Sequence, residues 1–313
     1  MSARNAWVLI LPGLSMIGVL AMSTGSAPDS LDKIYQGKFS SVTEAAGSLK
    51  LLNWNIERGL QFSGIVGAIE RERPDICILQ EVDLNAQRTD RRNVAEELAR
   101  RFQLNYVFGV EFRELGQEAR DEPAYHGQAL LSAFPIHSAR ILRFVNQSGF
   151  WQPSWYLPNW SGFQRRLGGR MALVSEIGLG ETPLVVYDVH LESRGHESLR
   201  LLQLEEMLVD AKRYGPEIPV ILAGDLNTHS HPSPVIKRLG EAGFRNALEK
   251  ETVATNPKGG SLDWVFVRGP VGFENGKVHQ EIVASDHYPL SVSIHSLSAF
   301  NTTQATKPSW WER

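Results

Sequence analysis

The chain has 313 residues, 42% of them apolar, enough to bury a full-sized core. Its 32 Lys and Arg against 35 Asp and Glu leave a net charge of −3, so no global cationic field advertises a nucleic-acid partner. That balance speaks against a basic nucleic-acid-binding module more than against a nuclease, because a bound metal ion supplies positive charge that side chains do not count.

After Arg4, residues Asn5 to Pro28 carry no charge and include AWVLILPGLSMIGVLAM, which predicts an export signal over residues 1–28. The small residues of STGSA suit cleavage, and Pro12, Gly13 and Gly18 favour removal; if retained, the segment would serve as a membrane anchor. The expected location is therefore periplasmic or extracellular, or membrane-anchored through this segment. Residues 29–48 turn small and polar and are expected to form a linker, followed by one catalytic-type domain over 49–297 and a polar tail over 298–313.

Within the domain, LKLLNWNI, DICILQEV, NYVFGVEF, MALVSEI, LVVYDVHL, PVILAGDL, DWVFV and YPLSVSI have the composition of strands. Eight such strands need more than one sheet. Cys77, the only cysteine, lies inside DICIL and is assigned to the core, which also excludes an internal disulfide. Helices are expected at Ser63 to Arg73, ending before Pro74; after Asp90 as cap, burying Val94, Leu98 and Phe102; and from about Glu197 to Arg213. A fourth has Ser233 as N-cap, Pro234 at its first position and Gly243 as its stop.

Polar residues with chemical potential cluster where these apolar runs begin or end. Asn55 closes LLNWN, and Glu81 follows an almost unbroken apolar strand, where an unpaired carboxylate is costly and a cation is wanted. A hard ion such as Mg²⁺ fits that demand; pairing with an arginine is the structural alternative. Asp188 and His190 share one side of their strand by the two-residue period. In PVILAGDLNT, Gly224 is expected to allow a tight turn, with Asp225 placed to activate water and Asn227 to hold an oxyanion. Asp263, Asp286 and His287 begin strands, and Asp263 is suited to orienting a histidine.

Six segments, LNWNIERG, ILQEVD, YDVHLES, LAGDLNT, SLDWVFV and ASDHYPL, together resemble the endonuclease/exonuclease/phosphatase superfamily in their order along residues 49–295. The resemblance implies an α/β (α+β) fold, a four-layer αββα sandwich of two mainly antiparallel sheets flanked by helices. It implies metal-site residues at Asn55, Glu81 and Asp286, with Asp225 and Asn227 at the water-activating and phosphate-orienting positions. His190 and His287 resemble phosphate-contacting histidines, and Asp263 the carboxylate that aligns the second. The expected activity is hydrolysis of a phosphate ester, chiefly a phosphodiester, by in-line attack of water with Mg²⁺ as cofactor and Mn²⁺ as its substitute. Nuclease or phosphomonoesterase action and a non-catalytic binding module are the alternatives.

The segment GFWQPSWYLPNWSGFQRRLGGR holds Trp151, Trp155 and Trp160, and its prolines predict an irregular loop over the cleft. These rings, with Arg165, Arg166 and Arg170 to meet phosphate, are expected to bind substrate. A lipid interface is preferred over nucleic acid as the partner, so contact with a membrane is expected; packing of the rings on the sandwich is the structural alternative. The oligomeric state stays open.

Overall fold

The computed structural model describes residues 31–296, except 44–46, 120–121, 181, 229–231 and 249–252. The expected export segment and tail therefore lie outside the described residues. In chain order the elements begin β1 (Ile34–Gly37), β2 (Leu49–Arg58), α1 (Phe62–Glu72), β3 (Ile76–Leu84), α2 (Val94–Phe102), β4 (Asn105–Glu114), β5 (Tyr125–Ser132) and β6 (Ile136–Arg143). They continue with β7 (Arg166–Gly168), β8 (Met171–Gly178), β9 (Pro183–His190), α3 (Glu197–Ala211), β10 (Val220–Asp225), α4 (Pro234–Glu241), β11 (Arg245–Asn246), β12 (Asp263–Arg268), β13 (Val271–Val278) and β14 (Leu290–Ser296).

The strands form two sheets that face one another, in the orders β1-β4-β5-β3-β2-β14-β13, with β7 beside β4, and β11-β12-β10-β9-β8-β6. Most pairings are antiparallel, but each sheet holds one parallel pair, β2 with β3 and β9 with β10. A parallel neighbour requires a crossover, and α1 and α3 supply it. Period-two alternation sorts the second sheet: Val186, Ile221, Ala223, Val265 and Val267 join the core shared with the first sheet. Tyr187, Leu222, Trp264 and Phe266 instead pack with Leu204, Met207, Val235 and Leu239 of α3 and α4. Helices α1 and α2 cover the first sheet through Ile65, Ile69, Leu98 and Phe102. This is the four-layer sandwich.

Several local expectations are corrected. Residues 29–48 are more than a linker, since β1 pairs antiparallel with β4 from Ile34↔Gly109 to Gly37↔Tyr106, and the amides of Phe39 and Ser40 donate to Asn105 Oδ1. Four residues of mixed polarity at a sheet edge carry too little apolar pattern to announce a strand. The cap of α2 is Asn93, whose Oδ1 accepts the Glu96 amide at 3.2 Å, whereas Asp90 sits in a left-handed turn with φ 53°. Ser233 does cap α4, accepting from the amides of Val235 and Ile236. Gly224 makes no turn: it lies inside β10 with φ 145°, and an added Cβ would meet the Val189 carbonyl oxygen at 1.9 Å. A central strand, β5, went unrecognised because His126, Gln128 and Ser132 break its apolar run, although all eight of its residues are buried. Cys77 is buried, and burial holds its thiol well above the ordinary range.

Candidate active site

The carboxyl ends of both parallel pairs deliver polar side chains to one end of the sandwich. In the second sheet, His190 is registered beside Asp225 and Asp225 beside Asp263, so three neighbouring strands present a row of acid and imidazole. The alternation that buries Val186 and Ala223 on the inner face also turns His190 and Asp225 inward. In the first sheet, pairing shifts register after Asn55 in β2 and around Gln80 and Glu81 in β3, with φ 51° at Glu81. Such bulges re-aim side chains where regular pleating would continue the core pattern.

Asp225 is the centre of the constellation. Its Oδ2 accepts from Asn55 Nδ2 at 3.3 Å and lies 3.6 Å from His190 Nε2 and 3.8 Å from His287 Nε2, while its Oδ1 accepts the Asn227 amide at 2.9 Å. Behind His287, its Nδ1 donates to Asp263 Oδ2 at 2.8 Å, and Thr255 Oγ1 donates to the same oxygen at 2.7 Å. The loop carrying His287 is tied to β2: Trp54 Nε1 donates to the His287 carbonyl at 2.8 Å, and Ser285 Oγ to the Asn55 carbonyl at 2.7 Å. Nearly every one of these groups is buried, so their charges feel one another strongly.

Burial pushes the Asp225 carboxyl up, His287 opposes it and Asp263 adds to it, leaving the value at about 7. Burial would lower His287, but Asp263 and Asp225 outweigh it and raise the imidazole to about 10. His190 goes the other way: burial first, then the neighbouring Arg170 and His126, hold it well below the usual range. One imidazole is therefore a cation and the other neutral at neutral pH. Asp188, on the same strand face as His190, does not reach the site; it accepts from Gln80 Nε2 at 2.7 Å between the sheets, and burial lifts its carboxyl well above normal.

The oxygen-rich group on the first sheet is looser. Glu81 lies 3.3 Å from Arg58 Nη2, the arginine pairing weighed as its structural alternative; burial raises its carboxyl, but His126, Arg58, Arg170 and His287 together bring it below normal. Asp286 is exposed and lies near Glu57, whose carboxyl is raised by burial and then by Asp286. Asp225, Asp263 and His287 also bring one ligand-type atom each within 4.8 Å of one another.

Two expected substrate contacts sit elsewhere than foreseen. The Arg170 guanidinium is buried, paired with Glu111 at 2.9 Å and donating to Ser193 Oγ at 3.1 Å, so these two donors are committed within the fold. Trp151 is half-buried, donating from Nε1 to Glu192 Oε1 at 2.7 Å with Arg166 and Arg170 over its ring, whereas Trp155 and Trp160 are exposed. Conversely, His126 escaped notice with its strand. Its Nδ1 bonds to Asp83 Oδ1 at 3.0 Å, and Arg88 clamps Asp83 through two bonds of 2.7 and 2.8 Å. The D of QEVD was the only sequence signal for this second carboxylate–histidine pair.

Carboxylates, amides and carboxylate-backed histidines gathered at one end of two facing sheets are the layout of a phosphoester hydrolase. The chain belongs to the endonuclease/exonuclease/phosphatase family, whose model matches residues 52–287. Among solved structures, the human nocturnin catalytic domain, determined with a bound sulfate anion, is 18% identical, covering 82% of this chain and 97% of its own, with a TM-score of 0.61. An endonuclease/exonuclease/phosphatase protein from Beutenbergia cavernae is also 18% identical over 80% of this chain and 72% of its own, with a TM-score of 0.58. One from Bacteroides vulgatus is 16% identical over 80% and 99%, with a TM-score of 0.57. At these identities the likeness speaks for the fold. No curated protein matches the chain.

Proposed function

We propose that the protein hydrolyses a phosphodiester by in-line attack of water, assisted by Mg²⁺. The observation that carries this is the convergence of Asn55, His190 and His287 on one oxygen of Asp225 within 3.3 to 3.8 Å. A carboxylate with a value of about 7 is poised to take a proton from water near neutral pH. His287, kept cationic by Asp263, faces that carboxylate and supplies positive charge for the anionic transition state. Neutral His190, 3.6 Å from the same carboxylate, is free to donate to a phosphate oxygen without competing for the proton. Asn227 has one amide hydrogen engaged with the Leu191 carbonyl at 3.0 Å, which orients the side chain towards the same pocket.

The residues present suit a hard divalent ion. Glu57, Glu81 and Asp286 concentrate negative charge around Asn55, with Arg58 as a partial counter-charge; burial first, then Asp286 and Glu81, raise the Glu57 carboxyl. Asn55, Glu81 and Asp286 would hold Mg²⁺, which when bound neutralises charge on a non-bridging phosphate oxygen. The Asp225, Asp263 and His287 group suits proton handling better, because Asp263 and His287 already satisfy one another at 2.8 Å. The test is hydrolysis of bis(p-nitrophenyl) phosphate by purified protein, with and without a chelator. Metal-dependent release of nitrophenol is expected; its absence across Mg²⁺ and Mn²⁺ would reduce the chain to a binding module.

A further inference from the structure

Among the described residues, every large aromatic ring that is mostly exposed lies in the single segment between β6 and β7: Phe150, Trp155, Tyr156, Trp160 and Phe163. Trp155 is 94% exposed and Trp160 62%, values at which the rings add nothing to the core. Exposed apolar rings concentrated in one segment mark a candidate interaction site. We propose that this segment docks the protein onto a phospholipid bilayer, presenting the cleft to diester bonds in the headgroup layer.

Three features select a bilayer. The first is that the rings are held outward by an organised loop. Gln164 serves as its hub, with Oε1 accepting the Ser154 amide at 2.9 Å and Nε2 donating to the carbonyls of Leu157 and Pro158 at 3.2 Å each. Further turns close from Leu157 to Ser154 and from Phe163 to Trp160. Backbone groups satisfied within the loop can approach an apolar phase without the cost of bare amides. The second is residue type: tryptophan and tyrosine are the side chains that settle at the lipid–water boundary, an apolar body with a polar tip. The third is charge. From Val145 to Ser175 the sequence has no Asp or Glu; Arg166 and Arg170 are paired with Glu114 and Glu111 inside the fold, whereas Arg165 is exposed and exposed Arg194 lies over the Phe150 ring at 4.8 Å. A segment without acidic residues of its own, bearing exposed Arg165 and flanked by exposed Arg194, complements headgroup phosphates.

The patch is also fixed to the catalytic rim. Trp151, packed edge-on against Phe150 at a centroid distance of 4.6 Å, bonds to Glu192, two residues beyond His190 on the same strand end. Seating the rings on a bilayer would therefore hold the site at headgroup depth. Stacking on unpaired bases is the competing use of such rings.

Docking needs no turnover, but the substrate assignment rests on the phosphodiesterase reading, so binding and hydrolysis are measured separately. The chain from Leu31 onward carries both cores and every contact described, and it removes the apolar N-terminal segment as a second source of binding. It is mixed with vesicles of phosphatidylcholine and phosphatidylglycerol in the presence of chelator, and sedimentation is compared with that of the Trp155→Ala/Trp160→Ala variant. The parent is expected to sediment with vesicles and the variant to bind at least tenfold more weakly, while both hydrolyse bis(p-nitrophenyl) phosphate at the same rate. Equal vesicle binding by parent and variant, or no binding by either, overturns the proposal. So does a variant that loses affinity for single-stranded oligonucleotide while keeping vesicles. Vesicle binding without any hydrolysis of the soluble diester would sink the catalytic reading and leave the docking surface standing.

Discussion

At the scale of single residues, chemistry here depends on how burial sets charge. Asp225→Asn removes the proton acceptor and His287→Ala the cation facing it, so each is expected to lower kcat by at least about a hundredfold with a smaller change in KM. Steady-state kinetics on bis(p-nitrophenyl) phosphate checks this, and near-normal turnover in a folded variant would displace the residue from its role. Glu81→Gln should instead raise the Mg²⁺ concentration giving half-maximal rate; an unchanged titration would exclude Glu81 as a ligand. The imidazole of His287 also links stability to pH. Its value is raised from 6.5 to about 10 in the folded state, so the stabilisation is complete below pH 6.5 and lost as pH rises through about 10. In chelator-treated protein the thermal midpoint should fall across that window, and Asp263→Asn should flatten the fall by removing the partner 2.8 Å from Nδ1. Parallel curves for the two proteins would acquit the pair.

At the scale of elements, the site is made by two strand–helix–strand units whose parallel strands end together. The close approach of β9 and β10 is what brings His190 level with Asp225, and Gly224 permits it. Gly224→Ala combines φ 145° with a Cβ 1.9 Å from the Val189 oxygen, so a loss of about 1–3 kcal/mol or more is expected. Gly240 is the contrast: it lies in α4 with nothing within 4 Å of an added Cβ, and Gly240→Ala should stabilise by about 0.5–1 kcal/mol. Urea unfolding of both variants measures the two signs; a neutral Gly224→Ala would mean the strands can part without penalty. The distorted ends of β2 and β3 belong to the same scale, since a register shift at Glu81 is a property of paired strands and leaves no mark in a one-dimensional pattern.

At the scale of the whole molecule, the uncharged run from Asn5 to Pro28 predicts that residues 1–30, fused to a reporter, carry it across a membrane. Protease protection of the reporter inside the cytoplasm would refute export. The sequence by itself determined the family, because GDLN, SDH and their companions stand in a fixed order, and through that resemblance the two-sheet sandwich, where its eight strand-like runs alone required only more than one sheet. It also placed Ser233 as a cap and Cys77 in the core, both of which follow from immediate neighbours. Only the tertiary structure decided which polar residues meet. It joined Asp225 to Asn55 across 170 positions, sent Asp188 to Gln80 between the sheets, paired Arg170 with Glu111, and separated tucked Trp151 from exposed Trp155 and Trp160. It also revealed His126, on a strand whose buried polar residues hid it from a hydrophobic pattern. Periodicity reports which face of a strand is buried, while the partner that compensates a buried charge comes from a distant segment and is settled only when the sheets pack.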